Sequence, residues 1–398
     1  MRIAIFSDNF YPELSGIADS VLALGKELAK RGHQICYFAP AYGPADYAKA
    51  NLPVGELELG ENIKIVRLWS LPIKNSPTGQ GRLVLPFVLS YRALRDFAPD
   101  IIHINLCSFL GLDAILFAKV FKIPILGTSH TPITEFIKYF PIRAKWFDVI
   151  LNHFVAWFYN RANFVTGPSQ FIFDEMKRYG FHRAGQPMSN LIDVSNFTPV
   201  TKEKRAELKK EFQLSDHVVL YAGRLAEEKH IDVIIRAIKI AQEKFADVNL
   251  VVTGHGAGEL ALKNLVKELN LEKNVKFTGT VPWAKLILLY QASDIFAIAS
   301  TAETQSISML QAMSAGIPVV AVRARALPEY VSDDNGYLFE IGDFTTLAEK
   351  LIYLFNNEEE RDRLGQGGIV TAGRYSIKEI AGQWENLFKK VINGYHKH

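Results

Sequence analysis

Short apolar runs alternate with segments of helical period from one end of the chain to the other. In the first half, strand-like runs stand at Arg2 to Ser7, Gln34 to Phe38, Ile63 to Leu68, Ile101 to Ile104, Pro124 to Thr128 and Asn163 to Thr166. Apolar positions three and four apart place helices between them at Ile17 to Lys30, Phe87 to Phe97, Leu110 to Phe121, Trp146 to Arg161 and Ser169 to Tyr179. Alternation of this kind predicts an α/β fold built on a doubly wound parallel sheet, with its strands buried on both faces.

The pattern lapses between Phe181 and Val200, where Gly185, Pro187, Asn190, Asp193 and Pro199 mark a linker. It restarts with strands at Val218 to Ala222, Leu250 to Thr253, Val275 to Thr278, Ile295 to Ala299, Val319 to Val322 and Gly336 to Phe339. Helices are predicted at Ile231 to Lys244, Glu259 to Leu269 and Trp283 to Gln291, and another from near Gln305 to Gly316. Three more close the chain: Phe344 to Phe355, Glu358 to Thr371 and Ile377 to Ile392. The expectation is two doubly wound domains, 1–185 and 190–375, facing a cleft of the kind that closes on ligands. The final segment, 376–398, is expected to pack back on the first domain.

A length of 398 residues exceeds one comfortable core and agrees with two domains. A net charge of +3 argues against a dedicated nucleic-acid binder and leaves room for local basic patches. Only Cys36 and Cys107 are present, too few and too far apart for a metal framework or a disulfide scaffold, and they suit a reducing compartment. Met1-Arg2 leads directly into the apolar Ile3 to Phe6, a first strand rather than a signal peptide. No apolar run reaches membrane-spanning length. The expected location is the cytoplasm, with membrane contact only as a peripheral protein on the inner face.

Candidate chemistry gathers where strands run into helices. Glu303 follows the strand Ile295 to Ala299 and precedes a helix, so it belongs at the carboxyl end of a parallel strand, where open α/β sheets bind ligands. A helix starting there would aim free N–H groups at an anion; a solvated or capping carboxylate is the plainer reading of Glu303. Gly223 to His230 follows the strand Val218 to Ala222, and its Arg224 and Lys229 suit a diphosphate, with Arg giving forked contacts and Lys a point charge. Surface charges beside Glu227 and Glu228 are the alternative. Gly254, Gly256 and Gly258 would let backbone approach a ligand or simply make a tight turn. Gly16, at the start of a helix, could admit a phosphate, or Ser15 could be an ordinary N-cap. His130 sits at another carboxyl edge. Lys138, Arg143 and Lys145 are interleaved with Tyr139, Phe140, Trp146 and Phe147, which suits an interfacial membrane patch or a core helix with a solvated basic face.

Taken as a set and in this order, the motifs resemble those of the family 4 glycosyltransferases of GT-B fold, which are retaining enzymes using nucleotide sugars. The family pattern runs from a glycine in the first loop through a histidine at a strand end, G-R-x-x-x-E-K and a glycine loop to E-x7-E before A-x-x-x-G-x-P-V. It is matched here by Gly16, His130, Gly223 to Lys229, Gly254 to Gly258, and Glu303 to Gln311 before Ala312 to Val319. Asn190-Leu191-Ile192-Asp193 is similar to the family's N-G-I-D segment, with Leu191 in place of Gly. The resemblance implies two Rossmann-like domains. It also implies that Arg224 and Lys229 hold the donor diphosphate, that Gly16 lends backbone approach to it, and that the N–H groups near Ser306 and Ile307 assist. Glu303 would bind hydroxyls of the transferred sugar and His130 would contact its C6 side. The second Glu of the family motif pairs with ribose, and it is Gln311 here, a neutral acceptor in place of a charged one. Gln305-Ser306 likewise departs from the Phe-Gly common in the family.

The chemistry implied is transfer of a hexose with retained anomeric configuration, the leaving phosphate taking the acceptor's proton. No enzyme nucleophile, cofactor or metal is expected. The stretch from Thr128-Ser129-His130-Thr131 through Tyr139 to Trp157-Phe158 is similar to the branch that glucosylates diacylglycerol. That assigns Thr131, Tyr139, Arg143, Lys145 and Trp146 to a lipid acceptor or an anionic membrane surface, and suggests UDP-glucose or a similar donor. A soluble sugar or small-molecule acceptor, and a catalytically weak nucleotide-sugar binder, are the alternatives. The sequence is silent on oligomeric state.

Overall fold

The computed structural model describes residues 1–73, 76, 78–85, 89–130, 145–191 and 193–397. Thr131, Tyr139 and Arg143 lie outside the described residues, as do the side chain of Lys145, Ile192 and the first residues of the predicted helix Phe87 to Phe97. The chain divides into two compact units, Met1–Ile192 with Ile377–His398, and Asp193–Ser376.

In the first unit the strands are β1 (Arg2–Phe6), β2 (Gln34–Pro40), β3 (Ile63–Leu68), β4 (Ser70–Pro72), β5 (Arg82–Val84), β6 (Ile101–Ile104), β7 (Ile125–Thr128), β8 (Phe164–Gly167) and β9 (Gly185–Pro187). Seven of them form one parallel sheet in the order β3-β2-β1-β6-β7-β8-β9, while β4 and β5 make a separate antiparallel hairpin. The order reverses between β1 and β6, which places a topological switch point there. Phe6 and Phe38 stack at 4.4 Å across β1 and β2, and Ile102, Leu110, Phe158 and Val165 fill the same core. Nothing in the sequence marks β9: its three residues, Gly-Gln-Pro, lie in the predicted linker. They join as an edge strand by backbone pairing alone, with their side chains exposed, and the first unit runs to Ile192 rather than stopping at 185.

The helix Gly16–Lys30 starts at Ser15, whose hydroxyl accepts from the Ala18 N–H at 3.1 Å. Ala18, Val21, Leu24 and Leu28 give it one buried face. Against this unit packs the last helix, Ile377–Tyr395, with Ile380, Trp384, Leu387, Phe388 and Val391 buried at helical spacing. Burial of side chains such as Leu387 and Phe388 is worth roughly 1.5–3 kcal/mol each. The Trp384 indole donates to the Ser189 carbonyl at 3.1 Å, which ties the C-terminus to the segment that follows β9.

The second unit contains β10 (Val218–Ala222), β11 (Asn249–Thr253), β12 (Val275–Gly279), β13 (Ile295–Ile298), β14 (Val319–Val322) and β15 (Gly336–Phe339). Their order, β12-β11-β10-β13-β14-β15, is the dinucleotide-fold order 3-2-1-4-5-6 with its switch point between β10 and β13. All these pairs are parallel. The helix expected near Gln305 begins two residues later, at Ile307, because Ser306 caps it by accepting from the Met309 N–H at 3.3 Å. A helix absent from the expectation, Lys202–Glu211, is charged on nearly every side and buries only Leu208 and Lys209, whose ammonium pairs with the buried Asp294, so it carries little apolar periodicity to detect.

Candidate active site

β10 and β13 lie side by side, with Val219 opposite Ile295 and Leu220 opposite Phe296. The loops that leave their carboxyl ends are therefore neighbours. After β10 the chain passes Gly223 and Arg224, makes a short 3-10 turn at Glu227–Lys229, and turns through His230 at φ +46° into the helix Ile231–Ala241. After β13 it passes Thr301 and Glu303 to the cap Ser306.

Three contacts sew the loops together. The Thr301 N–H donates to the Glu228 carbonyl at 3.0 Å. The His230 Nε2 stands 3.1 Å from the Thr301 hydroxyl. Lys229 Nζ donates to Glu303 Oε1 at 2.5 Å, with both side chains 14% exposed. An ammonium has three N–H donors, and among the described residues Lys229 spends one of them, on Glu303. Two donors thus remain for a ligand oxygen, and Glu303 Oε2 remains as an acceptor. Arg224 is more open, at 58% exposed, and touches Glu228 Oε1 at 3.2 Å. Its backbone carbonyl accepts from the Tyr221 hydroxyl at 3.0 Å, which fixes the loop while leaving the guanidinium fork at the surface. Charge of both signs is thus held at the switch point, where a diphosphate and a sugar hydroxyl could each find a partner.

The glycine loop after β11 has a use visible only in three dimensions. A Cβ on Gly254 would sit 1.9 Å from the Gly223 carbonyl oxygen, at φ +126°, and one on Gly256 would sit 2.1 Å from the Leu225 carbonyl. The Leu225 N–H donates to His255 O at 2.9 Å and the Gly258 N–H to Leu225 O at 2.8 Å. These glycines let two loops touch backbone to backbone, and so position Arg224.

Gln311 lies inside the helix Ile307–Ser314 and is 5% exposed. Its side-chain Oε1 and the Ser308 backbone carbonyl each lie 3.1 Å from the Tyr290 hydroxyl and share its single proton. Tyr290 is a partner the sequence did not suggest.

In the first unit, Gly16 opens the helix after β1, and His130 stands beyond β7. His130 is 5% exposed. Its Nε2 lies 3.0 Å from Asn105 Oδ1 and its Nδ1 lies 3.0 Å from Asn190 Oδ1. Burial pushes the imidazole down to about 4, with the Asn190 contact opposing, so it is neutral near pH 7 and has one N–H to give. Asn105 already donates Nδ2 to the Phe6 carbonyl at 3.4 Å, so its oxygen faces the ring and takes Nε2–H. Nδ1 is then an acceptor, and Asn190 must turn its NH₂ towards it. Both ring nitrogens are thus engaged by protein amides.

Sequence reasoning missed Asp8, Glu13 and Asn105. Asp8, just past β1, accepts from the Ser108 hydroxyl at 2.5 Å; burial, aided by the charge of Glu13, lifts its carboxyl to about 7. Glu13 is buried and accepts from Asn9, Thr78 and Tyr42, which fastens the loop leading to Gly16. Their position after the first strand and after β6 was the available signal. Trp146 is 60% exposed. No helix among the described residues is long and apolar enough to cross a membrane.

The family description "Glycosyltransferase Family 4" matches residues 14–195, and "Glycosyl transferases group 1" matches residues 202–370. Together they span most of the chain. An alpha-monoglucosyldiacylglycerol synthase of Streptococcus pneumoniae is 27% identical over 84% of this chain and 74% of its own length. Another, of Acholeplasma laidlawii, is 25% identical over 100% of this chain and 99% of its own. Among solved structures, Anabaena HepE in complex with UDP superposes with a TM-score of 0.76 at 18% identity, covering 98% of this chain and 100% of that one.

Proposed function

This chain belongs to the family 4 glycosyltransferases of GT-B fold, and we propose that it moves a hexose from a nucleotide sugar, UDP-glucose or a close relative, to the hydroxyl of a membrane lipid such as diacylglycerol. The observation that carries the donor half is the Lys229–Glu303 pair held at the switch point of the second sheet beside Arg224. The acceptor half rests on relatives named for glucosyldiacylglycerol synthesis, aligned over most of the chain, and on the solvent-facing Trp146.

In this reading Lys229 and Arg224 stabilise the charge that develops on the departing diphosphate, in a site organised before the donor arrives. Glu303 turns its free oxygen to the sugar hydroxyls and fixes the anomeric carbon for attack. The N–H groups of the first turn after Ser306 have no partners within their own helix and supply further donors to phosphate or sugar. The acceptor proton passes to the leaving phosphate oxygen as the new glycosidic bond forms and the old one breaks on the same face, so configuration is retained. Neutral His130 orients through its amide partners rather than by charge. The two cations provide the electrostatic role that a divalent metal would otherwise fill.

The test is a screen of UDP- and GDP-sugars against diacylglycerol and against soluble sugars, with the anomeric configuration of the product read by NMR. A lipid-linked α-glycoside from an α-donor supports the reading. Transfer only to soluble acceptors overturns the acceptor half. Absence of both transfer and slow donor hydrolysis overturns the enzymatic half and leaves a binding protein.

A further inference from the structure

Lys229 is bracketed by a single residue of the loop after β13. The carbonyl that accepts from the Thr301 N–H at 3.0 Å belongs to Glu228, in the peptide group that leads into Lys229. The ring that meets the Thr301 hydroxyl at 3.1 Å belongs to His230, the residue that follows. Thr301 therefore holds the chain on both sides of the lysine, from a position 71 residues beyond His230.

The plain explanation is that these bonds close two neighbouring loops and do nothing more. The way the loop is anchored argues against it. Packing holds the Arg224 half, through Leu225, which is 1% exposed and bonded by its backbone to His255 and Gly258. The 3-10 turn Glu227–Lys229 buries none of its residues. The Lys229 half depends on hydrogen bonds instead. The Lys229 N–H donates to the Ala226 carbonyl at 3.0 Å and the His230 N–H to the Glu227 carbonyl at 3.1 Å, and Thr301 adds two bonds from outside the loop.

The residue type at 230 points the same way. His230 stands at φ +46°, in the left-handed region, immediately before the helix Ile231–Ala241. Gly fits such a backbone best, and Asn, Asp and His tolerate it. Of these, Asn and Asp would also cap the helix. The His230 side chain makes no cap bond; its ring is turned to Thr301. The cap forgone and the bond gained are of similar worth, so folding alone gives no reason to prefer the histidine. Lysine carries its charge on a flexible four-carbon stem, and ordering that stem only when a ligand arrives would cost affinity. With the chain fixed on either side and the ammonium held by Glu303 at 2.5 Å, the ordering is complete in the folded protein.

We infer that Thr301 and His230 form a clasp that sets the position of the Lys229 ammonium, so that both are positioning residues for the phosphate groups of a nucleotide. Neither needs to touch the ligand: the clasp acts through the lysine. The inference rests on the donor-site reading above for its ligand, while the clasp itself stands on the geometry of the second unit.

The experiment titrates UDP calorimetrically into the full chain and its variants. Thr301→Val keeps the backbone bond to Glu228 and removes the hydroxyl; it should weaken UDP binding about fivefold, the factor carried by one neutral hydrogen bond. His230→Asn suits the left-handed turn and can cap the helix, but its side chain stops short of Thr301. It should unfold no more readily than wild type and weaken UDP binding by the same factor. His230→Gln, whose amide reaches as far as the imidazole Nε2, should recover most of that loss. The double variant Thr301→Val/His230→Asn should bind no more weakly than either single variant, because both remove the same bond. Adding Thr301→Val to Lys229→Met should cost nothing further. Losses that multiply in the double variant, or a Thr301→Val effect that persists without Lys229, overturn the inference. So does a His230→Asn variant that loses stability and keeps its UDP affinity, the result expected of loop closure alone. Wild type that binds no UDP defeats the donor reading and leaves the clasp to a measurement without nucleotide, the coupling of Lys229 to Glu303 in denaturant titration. That coupling should shrink in the Thr301→Val background, and an unchanged coupling overturns the clasp.

Discussion

Lys229 and Glu303 come from loops 74 residues apart and meet at 2.5 Å, both largely withdrawn from water. Removing either partner leaves the other charge mostly buried and unmatched. Lys229→Met and Glu303→Gln should each lower the unfolding free energy by about 1–3 kcal/mol, and the double variant should recover part of that loss. Turnover should not recover in the double variant, because the proposed function needs both groups on the donor. Denaturant titration and transfer assays on all four proteins check this, and stability losses that simply add would show that the pair is not coupled.

Arg224 offers a contrast. At 58% exposed with one exposed-side contact to Glu228, it contributes little to folding. Arg224→Ala should leave the melting temperature nearly unchanged and lower kcat/KM by roughly 10²–10³, by analogy with a lost oxyanion donor. Full turnover in this variant would remove Arg224 from the diphosphate site.

Gln311→Glu restores the charge of the resembling family's motif. The Tyr290 hydroxyl can still donate to the new carboxylate, but the position is 5% exposed. The variant should bind UDP about fivefold more tightly, the factor carried by roughly 1 kcal/mol for a charged acceptor, and should unfold more readily by about 1–3 kcal/mol. Calorimetric titration with UDP measures the first and denaturant titration the second; an unchanged UDP affinity would place residue 311 away from the nucleotide.

His130 predicts a pH dependence. Its folded imidazole is held down to about 4 by burial, while an unfolded one titrates near 6.5. Between those values the unfolded chain binds a proton that the folded chain does not, so stability falls as pH falls through the window, by about 1.4 kcal/mol per unit. Asp8, lifted to about 7, acts in the opposite sense, since the folded form holds the extra proton there. Subtracting the unfolding free energy of His130→Asn from that of wild type cancels Asp8 and isolates the histidine. A difference that stays flat between pH 6.5 and 4 would contradict the assignment of a neutral, buried ring.

Two doubly wound sheets were legible in the sequence because buried parallel strands must be apolar on both faces, and the helices that cover them must repeat every three to four residues. Glu303, Arg224, Lys229 and His130 were legible as edge residues for the same reason: each follows such a strand. What the sequence could not determine was pairing across distance. The joining of Lys229 to Glu303, of His130 to Asn105 and Asn190, and of Gln311 to Tyr290 depends on which strands are neighbours, and one-dimensional periodicity carries no information about strand order. Strand β9 escaped notice because backbone hydrogen bonds alone hold it, and the helix Lys202–Glu211 because it buries almost nothing apolar. The glycines at 254 and 256 illustrate the division. Their freedom of conformation belongs to the sequence, but the carbonyls of Gly223 and Leu225 that require it arrive only when the second sheet brings β10 and β11 side by side.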